Sequence, residues 1–316
     1  MKPISVQQLA DILGAPIAAG RGDVMVSSGV STDTRTLPQG AAFFALSGEN
    51  FNGDTFAPKA LAVGAAVAIV RAWSGEVPVN TAVIVVSDPL RALQRLACWW
   101  RKQLNIPVVA ITGSNGKTST KDFTAAVLSR RFNVSATRGN LNNHIGVPLT
   151  VLATTEAHTA AVWEMGMNHS GEIAPLCEIA RPKYGIITNI GTAHIEFLKT
   201  REAIAEEKGM LARALPAEGI LFIPANCEFR DYLRQRTRAM TVAVGNGRGL
   251  VRAENLHFEA DGTSFNLVIE GEEPVRVTLS VAGRHMVNNA LLAAGVGWKL
   301  GISPDEIAAG LSNAIL

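Results

Sequence analysis

Pro107-Val108-Val109-Ala110-Ile111 runs directly into Thr112-Gly113-Ser114-Asn115-Gly116-Lys117-Thr118-Ser119-Thr120. The apolar run reads as a buried strand, the glycine-rich stretch as a tight turn, and Lys117 onward as a helix. Such a strand–turn–helix aims backbone N–H groups and a helix N-terminus at one point, and that point binds phosphate. Lys117 would neutralise a terminal phosphate, and the Thr118 hydroxyl would hold a magnesium ion. Gly113, Ser114, Asn115, Gly116 and Ser119 complete the expected ATP-binding loop. The plain alternative is a Gly/Ser/Asn turn before an ordinary helix; the strand in front of it favours the phosphate reading. The spacing is not that of the commonest phosphate loop. Ile111 stands where its first glycine would be, and the loop glycine comes later, at Gly113.

The rest of the composition fits a two-domain chain of 316 residues. With 47% hydrophobic and 18% charged residues it can bury sizeable cores and is not disordered. A formal net charge of +2 is too balanced for a nucleic-acid surface. Cys98, Cys177 and Cys227 are odd in number and far apart, which argues against a disulfide framework or zinc site and for a reducing cytoplasm. Met1 to Gln8 lacks the apolar core of a signal peptide. No apolar run reaches the roughly 18 residues of a membrane span.

Residues 1–86 read as a small α/β domain. Its expected strands are 41–46, 66–70 and 82–86, with a helical stretch over 55–63. Asp88 is a plausible N-cap for a helix over 88–104, whose apolar face is Leu90, Leu93, Ala97 and Trp100. This helix is expected to bridge to a central domain, the whole of 87–316. From Ile106 strands and helices alternate, which predicts a mainly parallel sheet. After Val242 the runs 251–258, 264–269 and 275–281, separated by Asp261-Gly262 and Glu270-Gly271-Glu272-Glu273-Pro274, predict an antiparallel β meander. Helices from about Asn288 and from Pro304 close the chain.

Three of the parallel strands end in polar residues, at the edge where open α/β sheets bind ligands. One ends in the phosphate loop. The second, 160–163, ends in Glu164-Met165-Gly166; Glu164 is either a carboxylate meeting water or a magnesium ligand, and its place favours the ligand. The third, 185–188, ends in Asn189 and a loop to His194, a surface residue or a functional one. Ile204, Lys208, Leu211 and Leu215 share one helix face, so Lys208 lies in an apolar stripe. Its amine either snorkels out or is partly buried, with a lowered pKa that leaves it neutral and able to form a carbamate with carbon dioxide. Asn288 and Asn289 open a helix, so Asn289 is either a cap or a group for an adenine edge.

Together these pieces resemble the Mur ligases, the enzymes that build the peptide of the bacterial cell wall, over essentially the whole chain. Gly139-Asn140-Leu141-Asn142-Asn143-His144-Ile145-Gly146-Val147-Pro148 and Glu164-Met165-Gly166-Met167-Asn168-His169-Ser170-Gly171-Glu172-Ile173 resemble the MurF branch more than its siblings. Ser31-Thr32-Asp33-Thr34-Arg35 and Phe51-Asn52-Gly53 resemble the region that holds the UDP end of the substrate. The resemblance implies an ATP-dependent ligase that joins D-alanyl-D-alanine to UDP-N-acetylmuramoyl-tripeptide through an acyl phosphate. It implies catalytic roles for Lys117, Lys208 and His194. Thr118 and Glu164 would hold one magnesium ion; His194, Glu164 and carbamylated Lys208 would serve a second. Asn289 would contact adenine, Asn142 and Asn143 the sugar-nucleotide, and Ser31, Thr34 and Arg35 the uridine diphosphate. It also implies a C-terminal ligase domain that this chain lacks, and a monomer. The competing expectations are a sibling that adds a single amino acid, and a substrate-binding fragment without turnover.

Overall fold

A computed structural model describes residues 1–49, 51–193 and 195–316. The elements in the first third are β1 (Ile4–Ser5), α1 (Val6–Leu13), β2 (Ile17–Gly20), β3 (Met25–Val26), β4 (Val30–Ser31), β5 (Ala42–Phe44), α2 (Ala57–Ala62), β6 (Val67–Val70), β7 (Ala82–Val85) and α3 (Pro89–Gln103). A 3-10 turn, Gly53–Phe56, precedes α2. Next come β8 (Val108–Thr112), α4 (Lys117–Leu128), β9 (Val134–Ala136), α5 (Gly146–Ala153), β10 (Ala160–Glu164), α6 (Ile173–Ala180) and β11 (Tyr184–Ile187). The last third holds α7 (Ile195–Leu198), α8 (Arg201–Ala214), β12 (Ile220–Pro224), α9 (Arg230–Arg234), β13 (Met240–Asn246), β14 (Val251–Phe258), β15 (Thr263–Ile269), β16 (Val275–Leu279), α10 (Arg284–Lys299) and α11 (Pro304–Ser312).

The chain packs as two compact units, Met1–Asn105 with His144–Glu156, and Ile106–Asn143 with Ala157–Leu316. This division differs from a boundary at residue 86. Helix α3 belongs to the first unit: Leu93, Leu96, Ala97 and Trp100 are buried, and it packs on α1, α5 and β5. The Trp100 indole N–H donates to Thr154 O at 2.7 Å, tying α3 to the end of α5. The first unit is built on a sheet in the order β2-β7-β6-β5-β4. It is parallel from β4 to β7, with β2 antiparallel at its edge.

The second unit carries a nine-stranded sheet, β16-β15-β14-β13-β12-β11-β8-β10-β9. From β9 to β14 every pairing is parallel; β14, β15 and β16 form the antiparallel meander. Side chains alternate across the strands. Val109, Ile111, Tyr184 and Ile186 face the core built with α4, α10 and α11. Gly185 faces the other way, where a Cβ would come within 3.1 Å of Leu215 just past α8. The order of β8, β10 and β11 positions the site. The chain leaves β8 toward β10 and then returns to β11 on the other side, so the C-terminal end of β8 is a switch point with an open crevice.

Candidate functional site

The phosphate loop lies at that switch point. Strand β8 ends at Thr112, and α4 begins at Lys117. Gly116, the residue before α4, has φ +77°. A side chain there would be strained, and its Cβ would lie 2.7 Å from Asn289 Oδ1. No side chain caps α4. Its first N–H groups, aided by the positive end of the helix dipole, are therefore free to receive an anion. Lys117 Nζ folds back to donate to Gly113 O at 2.9 Å. Burial lowers the Lys117 pKa, while the charge of Glu164 opposes that shift.

Glu164 ends β10 and is 3% exposed. The Thr118 hydroxyl donates to its Oε2 at 3.0 Å, and Asn142 Nδ2 donates to its Oε1 at 2.7 Å. The Glu164 N–H donates to Thr137 Oγ1 at 2.9 Å. A buried carboxylate whose side-chain partners are a hydroxyl and an amide has oxygen lone pairs left for a cation. Asn142 is itself fixed by its carbonyl, which accepts from Gly166 N at 2.8 Å. A Cβ at Gly166 would come within 2.9 Å of the Asn142 side chain, which explains the glycine.

Lys208 is 1% exposed, with Ile204, Leu211 and Leu215 buried on the same face of α8. Burial and the nearby Lys117 cation lower its amine to about 7, with Glu207 opposing. The amine is therefore buried rather than snorkelled. Asn289 lies inside α10, which begins at Arg284, five residues before it. It is therefore not a helix cap; it is 7% exposed and lies against Gly116. Beside it a cavity of about 280 Å³ is lined by Thr188, Asn189, Arg201, Asn226 and Asn288 among others. Arg201 is fixed there by Glu228 at 2.8 Å and by Ile190 O at 3.1 Å.

The structure thus brings Gly113 to Ser119, Asn142, Glu164 and Asn289 around one crevice of the second unit. His194 lies outside the described residues. Asn143 is exposed and ends the first segment of this unit. Ser31, Thr34 and Arg35 belong to the first unit. There the Ser31 hydroxyl accepts from Asp33 N at 3.1 Å, and Arg35 pairs with Asp33 at 2.6 Å. The Arg35 guanidinium holds the Asp33 carboxyl down to about 2. Among the described residues no three His, Cys, Asp or Glu side chains cluster as a metal site. Glu164 with Thr118 is a two-donor set.

Sequence reading missed Thr137 and gave no role to Thr188, Asn189 or Glu207. The Glu207 carboxylate, 3% exposed, accepts Gly171 N at 2.7 Å and Ile173 N at 2.8 Å, at the start of α6. Its position beside Lys208 on an apolar stripe was the available signal. Thr188 and Asn189 were visible only as a strand end.

A family model described as "Mur ligase middle domain" matches residues 111–297, and one described as "Mur ligase family, catalytic domain" matches 27–101. The UDP-N-acetylmuramoyl-tripeptide–D-alanyl-D-alanine ligase of Bacillus subtilis is 38% identical over 98% of this chain and 66% of its own length. The crystal structure of MurF from Acinetobacter baumannii superposes with a TM-score of 0.92 at 32% identity, over 100% of this chain and 69% of that one. A Thermotoga maritima MurF ligase in complex with ADP gives 0.80 at 26% identity, over 91% of this chain and 66% of that one. The chain spans about two thirds of the length of these relatives. Among the described residues no helix is long and apolar enough to cross a membrane. By its phosphate loop, its sheet and these matches, the chain belongs to the Mur ligase family.

Proposed function

We propose that this chain is the nucleotide-binding and substrate-binding part of an ATP-dependent ligase of the MurF type. The ligase adds D-alanyl-D-alanine to UDP-N-acetylmuramoyl-tripeptide in the cytoplasm, as a monomer. The observation that carries this reading is the buried Glu164 at the end of β10, bonded to Thr118 at the start of the phosphate-loop helix. It couples a phosphate seat to a carboxylate that suits magnesium.

The chemical problem is that a carboxylate is a poor electrophile. Transfer of the γ-phosphoryl group from ATP to the tripeptide's terminal carboxylate gives an acyl phosphate and ADP. The dipeptide amine then attacks the acyl carbon, and inorganic phosphate leaves as the amide forms. Two anions must meet in the first step, so charge neutralisation and positioning supply most of the rate. Lys117 and the N–H groups of α4 hold the polyphosphate. Thr118 and Glu164 fit a magnesium ion, because magnesium takes one or two protein oxygens and completes its shell with phosphate and water. Magnesium bound there would offset the phosphate charge.

A second magnesium would be served by Glu164, His194 and Lys208 as its carbamate. The carbamate requires a neutral amine, which adds to carbon dioxide and releases a proton. A pKa of about 7 makes that form accessible at neutral pH. Asn289 and the adjacent cavity fit an adenine, as supported by the ADP complex of the Thermotoga maritima relative. Ser31, Thr34 and Arg35 of the first unit would hold the uridine diphosphate, and Asn142 and Asn143 the sugar-nucleotide. Phosphate release from ATP by the protein over its full encoded length tests the reading. D-alanyl-D-alanine should drive release with the tripeptide nucleotide present, and single amino acids should not. The reverse preference would assign the chain to a single-amino-acid branch.

A further inference from the structure

Strand β11 does more than flank the phosphate loop; its C-terminal end is stitched to it. Asn189 Oδ1 accepts both Ser114 N, at 3.0 Å, and Asn115 N, at 2.9 Å. The Asn189 carbonyl also accepts Ser114 N at 3.1 Å. In the other direction, the Thr188 hydroxyl donates to Asn115 O at 2.5 Å, and Gly191 N donates to Ser114 Oγ at 2.9 Å. The loop glycine accommodates this approach: Gly113 has φ +150°, and a Cβ there would overlap Thr188 Oγ1.

We propose that Asn189 and Thr188 are positioning residues that set the phosphate loop in its binding shape before nucleotide arrives. The inference rests on the nucleotide-binding reading above. An unbraced glycine-rich turn would lose backbone entropy on binding, a cost that falls on every residue fixed. Bonds already made in the free protein move that cost into folding, which is how preorganisation raises affinity. The bracing uses the outer N–H groups, of Ser114 and Asn115, and leaves those at the start of α4 to the phosphates. The side chain must accept two N–H groups from one oxygen. An aspartate could do so too, but it would set a negative charge beside the incoming phosphates. Asparagine supplies the acceptor without the charge.

The test measures binding of ADP with magnesium and of adenosine alone to the chain, by calorimetry and saturation-transfer NMR. Since Thr188 and Asn189 also line the cavity, the informative quantity is the ratio of the two affinities. In N189A this ratio should fall about 10-fold, as expected for the loss of two modest hydrogen bonds. T188V should show a similar fall, and T188S, which keeps the donor, should recover most of it. The T188V and T188S pair decides the matter if N189A folds poorly. An unchanged ratio in N189A and T188V, or a T188S no better than T188V, would overturn the proposal. A wild-type chain that binds no ADP would overturn the nucleotide reading itself, and this inference with it.

Discussion

At the scale of single residues, Lys208 departs most from what sequence alone allows. A helical stripe placed it in the core, but the outcome depended on whether its four-carbon stem would carry the amine back to water. At 1% exposure it does not. An amine lowered to about 7 in the fold, against about 10.4 in an unfolded chain, makes stability depend on pH. Between those values the unfolded state binds more protons, so stability rises with pH across the window and is flat below it. Cys177, raised to about 12 by burial, acts in the opposite sense above about 9, because its thiol stays protonated only in the fold. Comparison with K208M cancels that contribution. Urea unfolding from pH 7 to 8.5 should show a steeper rise for wild type than for K208M, by up to about 1.4 kcal/mol per pH unit. Parallel curves would mean that Lys208 titrates normally. On the proposed carbamate role of Lys208, the same substitution should abolish ligase activity, since methionine cannot form a carbamate.

At the scale of elements, α8 carries Lys208 and is locked by its neighbour. The two Glu207 oxygens each take a backbone N–H where α6 begins, so one carboxylate joins α8 to the loop that follows Glu164. Charge-assisted bonds of this kind contribute about 1.5–3 kcal/mol each, and orphaned buried donors add a desolvation cost. E207A should therefore destabilise the second unit by about 3 kcal/mol in chemical denaturation, and E207Q should recover only part of it. The amide has one acceptor and turns an NH₂ toward the other N–H. Full recovery in E207Q would show that shape, not acceptance, is what matters there. The elements legible in the sequence were those announced locally: the unbroken apolar runs of β8, β10 and β11, the meander between its turns, and the apolar stripe of α8. Others draw their structure from distant partners. Strand β9 is three residues long and exists through its pairing with β10. Helix α5, apolar almost all round, gives no face to read, and its partner α3 lies some forty residues earlier in the chain. Helix α10 begins after Gly283 without a side-chain cap, so an Asn pair in its second turn looked like its start. The site followed the same rule. Lys117, Thr118 and Glu164 were visible as candidates because Glu164 ends a strand and the other two follow one across a glycine-rich loop, whereas Thr137 and Glu207 act through bonds to residues 27 and more than 30 positions away.

At the scale of the molecule, the chain crosses between its two compact units three times, at about residues 105, 143 and 156. No composition shift marks the return of 144–156 to the first unit, so a linear boundary at 86 could not have found it. The division makes a prediction about ligands. Nucleotide is proposed to touch only the second unit, through α4, β8 and α10. A ligand at 100 times its Kd stabilises the unit that binds it by about 2.7 kcal/mol. That corresponds to roughly 100-fold slower exchange of amides that open only with that unit. Hydrogen exchange with ADP and magnesium should therefore slow in β8, α4, α10 and β12, and stay unchanged in β5, β6 and β7. UDP-N-acetylmuramoyl-tripeptide added alone should protect β4 and β5 beside Ser31 and Arg35, together with the segment around Asn142 and Asn143, and leave α10 unchanged. Equal protection of both units by ADP would mean that they open as one cooperative body, so that the nucleotide energy is shared. Protection of β5 to β7 by ADP alone would place the nucleotide in the wrong unit and overturn the assignment of Lys117, Thr118 and Glu164.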